Sequence, residues 1–157
     1  MGSKLQDEIK QAVPFVNLQE EVWLNLSRTA SVVGHELEQQ LRPHGLSPTQ
    51  YNVLRILRGA GLDGLCQYEI SDRLVAQVPD VPRILDRMER AGWVKRARGV
   101  TDRRVVMASL TESGLGLVNT LDRSILDMMS GMFIKLNESE LGRLNELLVA
   151  ARTFGRD

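Results

Sequence analysis

One pair of β-prone runs constrains this chain more than any other feature. Trp93-Val94-Lys95-Arg96 and Arg104-Val105-Val106-Met107-Ala108-Ser109-Leu110 flank a polar loop at Gly99 to Asp102 and read as a hairpin. Nearly everything before and after them is patterned at helical spacing, and no buried strand run of the kind a parallel sheet needs is present. The expected fold is therefore mainly α with a small β-hairpin. At 157 residues, with 43% hydrophobic and 25% charged residues, the chain has the size and composition of one compact unit with a real core.

The helical segments have clear stops and starts. Leu18, Val22, Leu26, Ala30, Val33, Leu37 and Leu41 recur at spacings of three and four, one apolar stripe on a long helix that follows a short amphipathic start and Pro14. Pro43-His44-Gly45 ends that helix, and Ser47-Pro48-Thr49-Gln50 forms a capping box that launches the next through Tyr51, Val53, Leu54 and Leu57. Gly59-Ala60-Gly61-Leu62-Asp63-Gly64 has the spacing of a dinucleotide-binding loop, but a helix-period segment stands where that loop needs a strand. It reads as helix termination and turn.

Two short helices follow. The first covers residues 67–75, and Ala76 to Pro79 turn the chain. Asp80 can cap the second, with Pro82 in its first turn; Val81, Ile84, Leu85, Met88 and Ala91 face inward, and Arg83, Arg87 and Arg90 outward. Beyond the hairpin, Thr111 can cap a long helix through Leu115, Val118, Leu121, Ile125, Met129, Met132 and Phe133. Asn137-Glu138-Ser139-Glu140 opens a last one carrying Leu141, Leu144, Leu147, Leu148 and Ala151.

Charge is unevenly placed along this frame. Net charge is zero, yet residues 80–104 hold eight basic against four acidic residues, while 1–79 hold seven against nine and 105–157 five against seven. A focused basic patch on an otherwise acidic body suits local binding of a polyanion. The patch coincides with helix, turn, helix and basic hairpin in that order, which is a winged helix-turn-helix. Its second helix can enter a major groove, where arginine bonds guanine O6 and N7, and its hairpin can lay arginine against phosphates or in a narrow minor groove.

At these positions the chain resembles the MarR (multiple antibiotic resistance regulator) family. The residues that carry the resemblance are Gly45-Leu46-Ser47-Pro48-Thr49-Gln50-Tyr51, the stretch from Arg83 to Val94, and Asp102-Arg103-Arg104 followed by Leu110-Thr111-Glu112-Ser113-Gly114. The resemblance implies a wing tip and DNA contact at Asp102 and Arg104, a dimer in which the N- and C-terminal helices interlock, and release from DNA by a small aromatic ligand or an oxidant. On this basis residues 1–157 form one MarR-like unit. Residues 47–110 are the winged helix-turn-helix, and 4–45 with 111–157 the helical dimerisation region.

The expected function is a dimeric, sequence-specific regulator of transcription, acting as a repressor on pseudo-palindromic double-stranded DNA. Asp80, Pro82, Arg83, Arg87, Arg98, Asp102, Arg103 and Arg104 are its candidate DNA-binding residues, and Trp23, His44, Tyr51 and Arg55 the candidate lining of an effector pocket. Asp80 and Pro82 stand where the family commonly has Ser or Thr, so base preference does not carry over. Cys66 is the single cysteine, at a helix N-terminus where a thiolate is favoured, and is a candidate redox site; packing as a small hydrophobe is its plainer role. His35 and His44 are too isolated for a metal site, no cofactor is expected, and no nucleophile–base–acid set argues for an enzyme. No apolar run is long enough to span a bilayer, and a cytoplasmic location is expected. A winged-helix interaction module without DNA binding and a cysteine-based redox regulator are the alternatives.

Overall fold

Four helices begin at the caps read from the sequence, Ser47, Asp80, Thr111 and Asn137. A computed structural model describes residues 3–99, 102 and 104–153. After a short helix α1 (Lys4–Glu8), Asn17 starts α2 (Leu18–Leu41), its Oδ1 accepting the Glu20 amide at 2.9 Å. A 3₁₀ turn at Arg42–His44 and Gly45 in the left-handed region redirect the chain. At α3 (Pro48–Ala60) the box closes both ways: Ser47 Oγ accepts the Gln50 amide at 3.2 Å, and Gln50 Oε1 accepts the Ser47 amide at 2.9 Å.

Gly61, with φ +69°, ends α3, as the helix-termination reading of the glycine-rich stretch expects. Gly64, with φ +68°, then admits a strand that the sequence reading lacked, β1 (Leu65–Cys66). A Cβ at Gly64 would overlap the Ala108 carbonyl, so only glycine lets the backbone approach this closely. Helix α4 (Gln67–Arg73) is two residues shorter than the 67–75 span, because Leu74 is extended. Next come α5 (Val81–Arg90), the strands β2 (Val94–Arg98) and β3 (Val106–Leu110), and the helices α6 (Glu112–Met132) and α7 (Glu138–Arg152).

The hairpin is antiparallel, with Val94 opposite Leu110 and Arg98 opposite Val106, and β1 pairs with the far side of β3 through Leu65 and Ala108. The architecture is thus mainly helical with a three-stranded wing sheet. Val53, Leu54 and Leu57 of α3 pack with Ile70, Leu85, Met88, Val94, Val118, Leu121 and Ile125, all essentially inaccessible to solvent. That core fastens α4, α5 and the root of the wing to α6. The ends of the chain differ: on α2 only Leu41 is buried, and no residue of α7 is. Among the described residues no helix is long and apolar enough to cross a membrane.

Gly114, in the first turn of α6, lies where a Cβ would overlap the carbonyl oxygen of Trp93, whereas a Cβ at Gly116 would meet open space. Two substitutions on one helix therefore have opposite expected signs. Gly114→Ala should lower unfolding free energy by about 1–3 kcal/mol through overpacking. Gly116→Ala should raise it by about 0.5–1 kcal/mol through helix propensity. Denaturant titration of both variants checks the pair.

Candidate nucleic-acid interface

The segment joining α4 to α5 ends at Asp80, whose Oδ1 accepts the Arg83 amide at 3.1 Å. This carboxylate is the N-cap of α5, where it satisfies an orphan donor and faces the positive end of the helix dipole. Pro82 occupies the first turn, where its missing amide hydrogen is not needed. Val81, Leu85 and Met88 are buried, so the 3.6-residue period turns Arg83, Arg87 and Arg90 outward. All three are exposed, and among the described residues none is paired with a carboxylate.

The wing stands beside this helix. Arg98 is the last residue of β2 and is exposed, as are Asp102 and Arg104 at the tip. Asp102 Oδ1 accepts the Arg104 backbone amide at 2.9 Å, and the Val105 amide donates to the Asp102 carbonyl at 3.2 Å. Asp102 thus shapes the turn that presents Arg104, through Arg104's backbone and not its guanidinium. Arg103 lies outside the described residues. The sequence reading placed Asp80, Pro82, Arg83, Arg87, Arg98, Asp102 and Arg104 together, and the fold brings them to α5 and the adjoining wing.

It missed the ion cluster between the two elements. Arg96 of β2 reaches Asp86 and Glu89 of α5, Nη2 lying 2.6 Å from each carboxylate and Nε 2.9 Å from Glu89. The Arg96 hydrogen bond holds the Glu89 carboxyl below the usual carboxylate range. The signal in the sequence is the i, i+3 spacing of Asp86 and Glu89, which puts both acids on one flank of α5.

Behind the interface is a largely apolar cleft of about 280 Å³, walled by Leu37 of α2, Tyr51, Asn52 and Arg55 of α3, Val75 and Ala76 beyond α4, and Met129 of α6. Two of the four expected lining residues, Tyr51 and Arg55, are there, with the Arg55 guanidinium 5.9 Å from the Tyr51 ring centre. Trp23 and His44 are not: Trp23 lies exposed on α2 and His44 exposed in the 3₁₀ turn, since α2 passes the cleft only near Leu37. Met129 both packs against the core and lines the cleft. Asn52, not anticipated, lines the cleft and accepts the Val75 amide through Oδ1 at 2.9 Å. Cys66 is partly buried at the head of α4, where its amide donates to Glu69 Oε2 at 2.8 Å.

The inner end of the cleft is tied to α6. Tyr51 Oη donates to Asp122 Oδ1 at 2.7 Å, while Arg58 lies 2.6 Å from Asp122 Oδ2 and bonds Asn119 at 3.0 Å. Burial first, then the hydrogen bond to Asp122, pushes the Tyr51 phenol up to about 12. Burial raises the Asp122 carboxyl, but the hydrogen bonds from Tyr51 and Arg58 outweigh it and hold the group below its ordinary value. Because the folded-state value of Tyr51 exceeds the ordinary 10.0, its contribution to stability is whole below pH 10 and is lost as pH rises towards 12. Tyr51→Phe should therefore flatten that alkaline loss and lower stability at neutral pH by about 1 kcal/mol. Urea unfolding at pH 7 and across the alkaline range measures both.

Residues 46–106 match the model of the MarR family. The chain is 29% identical over 127 residues to the HTH-type transcriptional regulator MhqR of Bacillus subtilis (strain 168), a match covering 81% of this chain and 86% of that one. The MarR transcription factor from Planctomyces limnophilus is 36% identical and superposes with a TM-score of 0.65, over 85% of this chain and 98% of that chain. CouR from Rhodococcus jostii RHA1, solved bound to p-coumaroyl-CoA, shares the fold at 22% identity and a TM-score of 0.74, over 91% and 99% of the two chains.

Proposed function

The chain belongs to the MarR family of DNA-binding transcriptional regulators, and from that premise we propose a homodimer that represses transcription from a pseudo-palindromic operator and releases it when a small aromatic effector binds. One observation carries sequence recognition: α5 turns to solvent three arginines that no carboxylate of the described residues pairs, beside a wing that exposes Arg98 and Arg104. Arg83, the first arginine of the recognition helix, is the candidate for a base edge, and Arg98 and Arg104 are the candidates for phosphate or the minor groove. Arg103, between Asp102 and Arg104 in sequence, is a further basic candidate beside them. Repression follows from occupancy, because a protein seated across two half-sites competes with polymerase for the same duplex.

Dimerisation is supported by apolar surface that a single chain leaves uncovered. Leu18, Val22, Trp23 and Leu26 on α2 are between 44% and 70% exposed, and Leu144, Leu147 and Val149 on α7 are also exposed. A soluble chain rarely keeps so many large apolar side chains on two terminal helices without a partner. Residues 4–45 and 111–157 are therefore the dimerisation region and 47–110 the DNA-binding region. The cleft at Tyr51, Arg55 and Met129 has the size and apolar character for one aromatic ring, and the structure of CouR bound to p-coumaroyl-CoA supports this reading by likeness of fold. The protein acts in the cytoplasm, with its DNA.

Light scattering at micromolar concentration is expected to give a dimer; a stable monomer would remove that part of the proposal. Selection from a random DNA pool should return an inverted repeat with half-site centres about 10 base pairs apart. On that operator Arg83→Ala should cost about 1–3 kcal/mol and relax preference at one position per half-site. Arg104→Ala should weaken operator and scrambled duplex together and reduce the salt slope by about one per arm. Asp102→Ala should weaken operator binding although it removes a negative charge, because Arg104 loses the turn that presents it. Tighter binding by Asp102→Ala would show that simple charge repulsion governs this position.

A further inference from the structure

Arg96 stands in the basic window between residues that face DNA in the proposed function, yet its guanidinium is engaged by two carboxylates of α5. Nη2 is shared between Asp86 Oδ1 and Glu89 Oε2, each at 2.6 Å, and Nε adds a second bond to Glu89 at 2.9 Å. Along β2 the pleat puts Val94, Arg96 and Arg98 on one face. Val94 is buried in the core, Arg96 meets α5, and Arg98 is exposed. Ala97, Arg98, Asp102, Arg104, Val105 and Val106 are all exposed. Among the described residues Arg96 is therefore the last point of β2 at which a side chain joins the wing to α5.

Charge sharpens the point. Two acids and one base leave the cluster with a net negative charge on the helix that enters the groove, which by itself opposes a polyanion. A carboxylate pair in that place makes sense if its work is geometric. Fork-shaped guanidinium bonding to two oxygens fixes direction as well as distance, which a lysine at this position would not do.

We propose that Arg96 is a positioning residue that pins the wing to the recognition helix through Asp86 and Glu89, and so sets where Arg98 and Arg104 meet the duplex without touching the duplex itself. The proposal rests on the DNA-binding reading above. With the pin in place, wing and helix approach the DNA as one preformed surface. Without it the wing hinges about its root near Val94, and its arginines lose register with the backbone while α5 keeps its own.

Hydroxyl-radical footprinting and titration on the selected operator test this with wild type, Arg96→Ala, Glu89→Gln, Arg96→Glu and the exchange Arg96→Glu with Glu89→Arg. Arg96→Ala should bind about fivefold more weakly, the scale a partly exposed ion-pair cluster supports. It should lose protection at the outer edges, where the wing lies, and keep it at the groove that α5 reads. A role in stability alone would lower the melting temperature and leave the pattern of protection unchanged, which overturns the pin. Glu89→Gln should weaken binding despite removing an acid. The exchange should recover what Arg96→Glu loses, since it restores a guanidinium between two carboxylates with helix and strand trading partners. Unchanged or tighter binding by Glu89→Gln, or an exchange no better than Arg96→Glu, overturns the pin. Absence of any wild-type footprint overturns the DNA-binding reading and the pin together, whereas a wild-type footprint that Arg96→Ala leaves intact overturns the pin alone.

Discussion

Thr111 joins the exit of α5 and the root of the wing to the long helix α6. Its amide donates to the Trp93 carbonyl at 3.0 Å, its hydroxyl donates to the Gly92 carbonyl at 2.6 Å, and the same oxygen accepts the Gly114 amide at 3.0 Å. One residue thus satisfies the exit of the recognition helix, the root of β2 and the first turn of α6. The contact is possible because Gly114 lacks a side chain and lets α6 rest against the Trp93 backbone. Since Thr111 directly follows β3, both ends of the hairpin are tied down within a few residues of each other. These bonds link α6 to α5 and the root of the wing through one short junction.

Helix α3 is the second link between the two regions, and it works from the opposite side. Its buried face supplies Val53, Leu54 and Leu57 to the core, Tyr51 and Arg58 reach Asp122 on α6, and Asn52 holds the Val75 amide in the segment leading to α5. The cleft lies among these contacts. In the proposed function, a ring inserted beside Tyr51 and Met129 would act on the α3–α6 spacing and on the Asn52 contact at once. The Thr111 junction and the α3 links thus give the cleft and α5 shared structure, which is the physical requirement for coupling the two sites of the proposed function.

Most of the frame was legible because punctuation and period agreed. Proline, glycine and the Ser47, Thr111 and Asn137 caps mark where helices begin and end, and the outward Arg83, Arg87 and Arg90 follow from the inward Val81, Leu85 and Met88. What escaped depended on distant partners. The strand β1 is two residues long and exists only because β3 offers an edge and Gly64 fits beneath the Ala108 carbonyl. Residue type groups Trp23 and His44 with Tyr51, but the direction of α2 past α3 decides which side chains reach the cleft, and no local pattern encodes it. Tyr51–Asp122 and Arg58–Asp122 join residues more than sixty positions apart. Arg96 looks like its basic neighbours because charge counting cannot distinguish an arginine held by protein from one free for DNA.

The four acids inside the basic window have the same explanation. Asp80 caps the recognition helix, Asp86 and Glu89 hold Arg96, and Asp102 holds the amide of Arg104. Each lowers the net positive potential of the window, and each is bonded to a group whose direction determines where an arginine points. A surface built from the eight basic residues alone would attract DNA more strongly at long range, but its long side chains and unbraced wing would lose conformational entropy on binding. Removing freedom beforehand favours one register of the duplex over others, whereas bulk positive charge favours every register alike. In the proposed function the acids in the window therefore trade non-specific attraction for a fixed geometry, and a chain of zero net charge can still present a focused basic face.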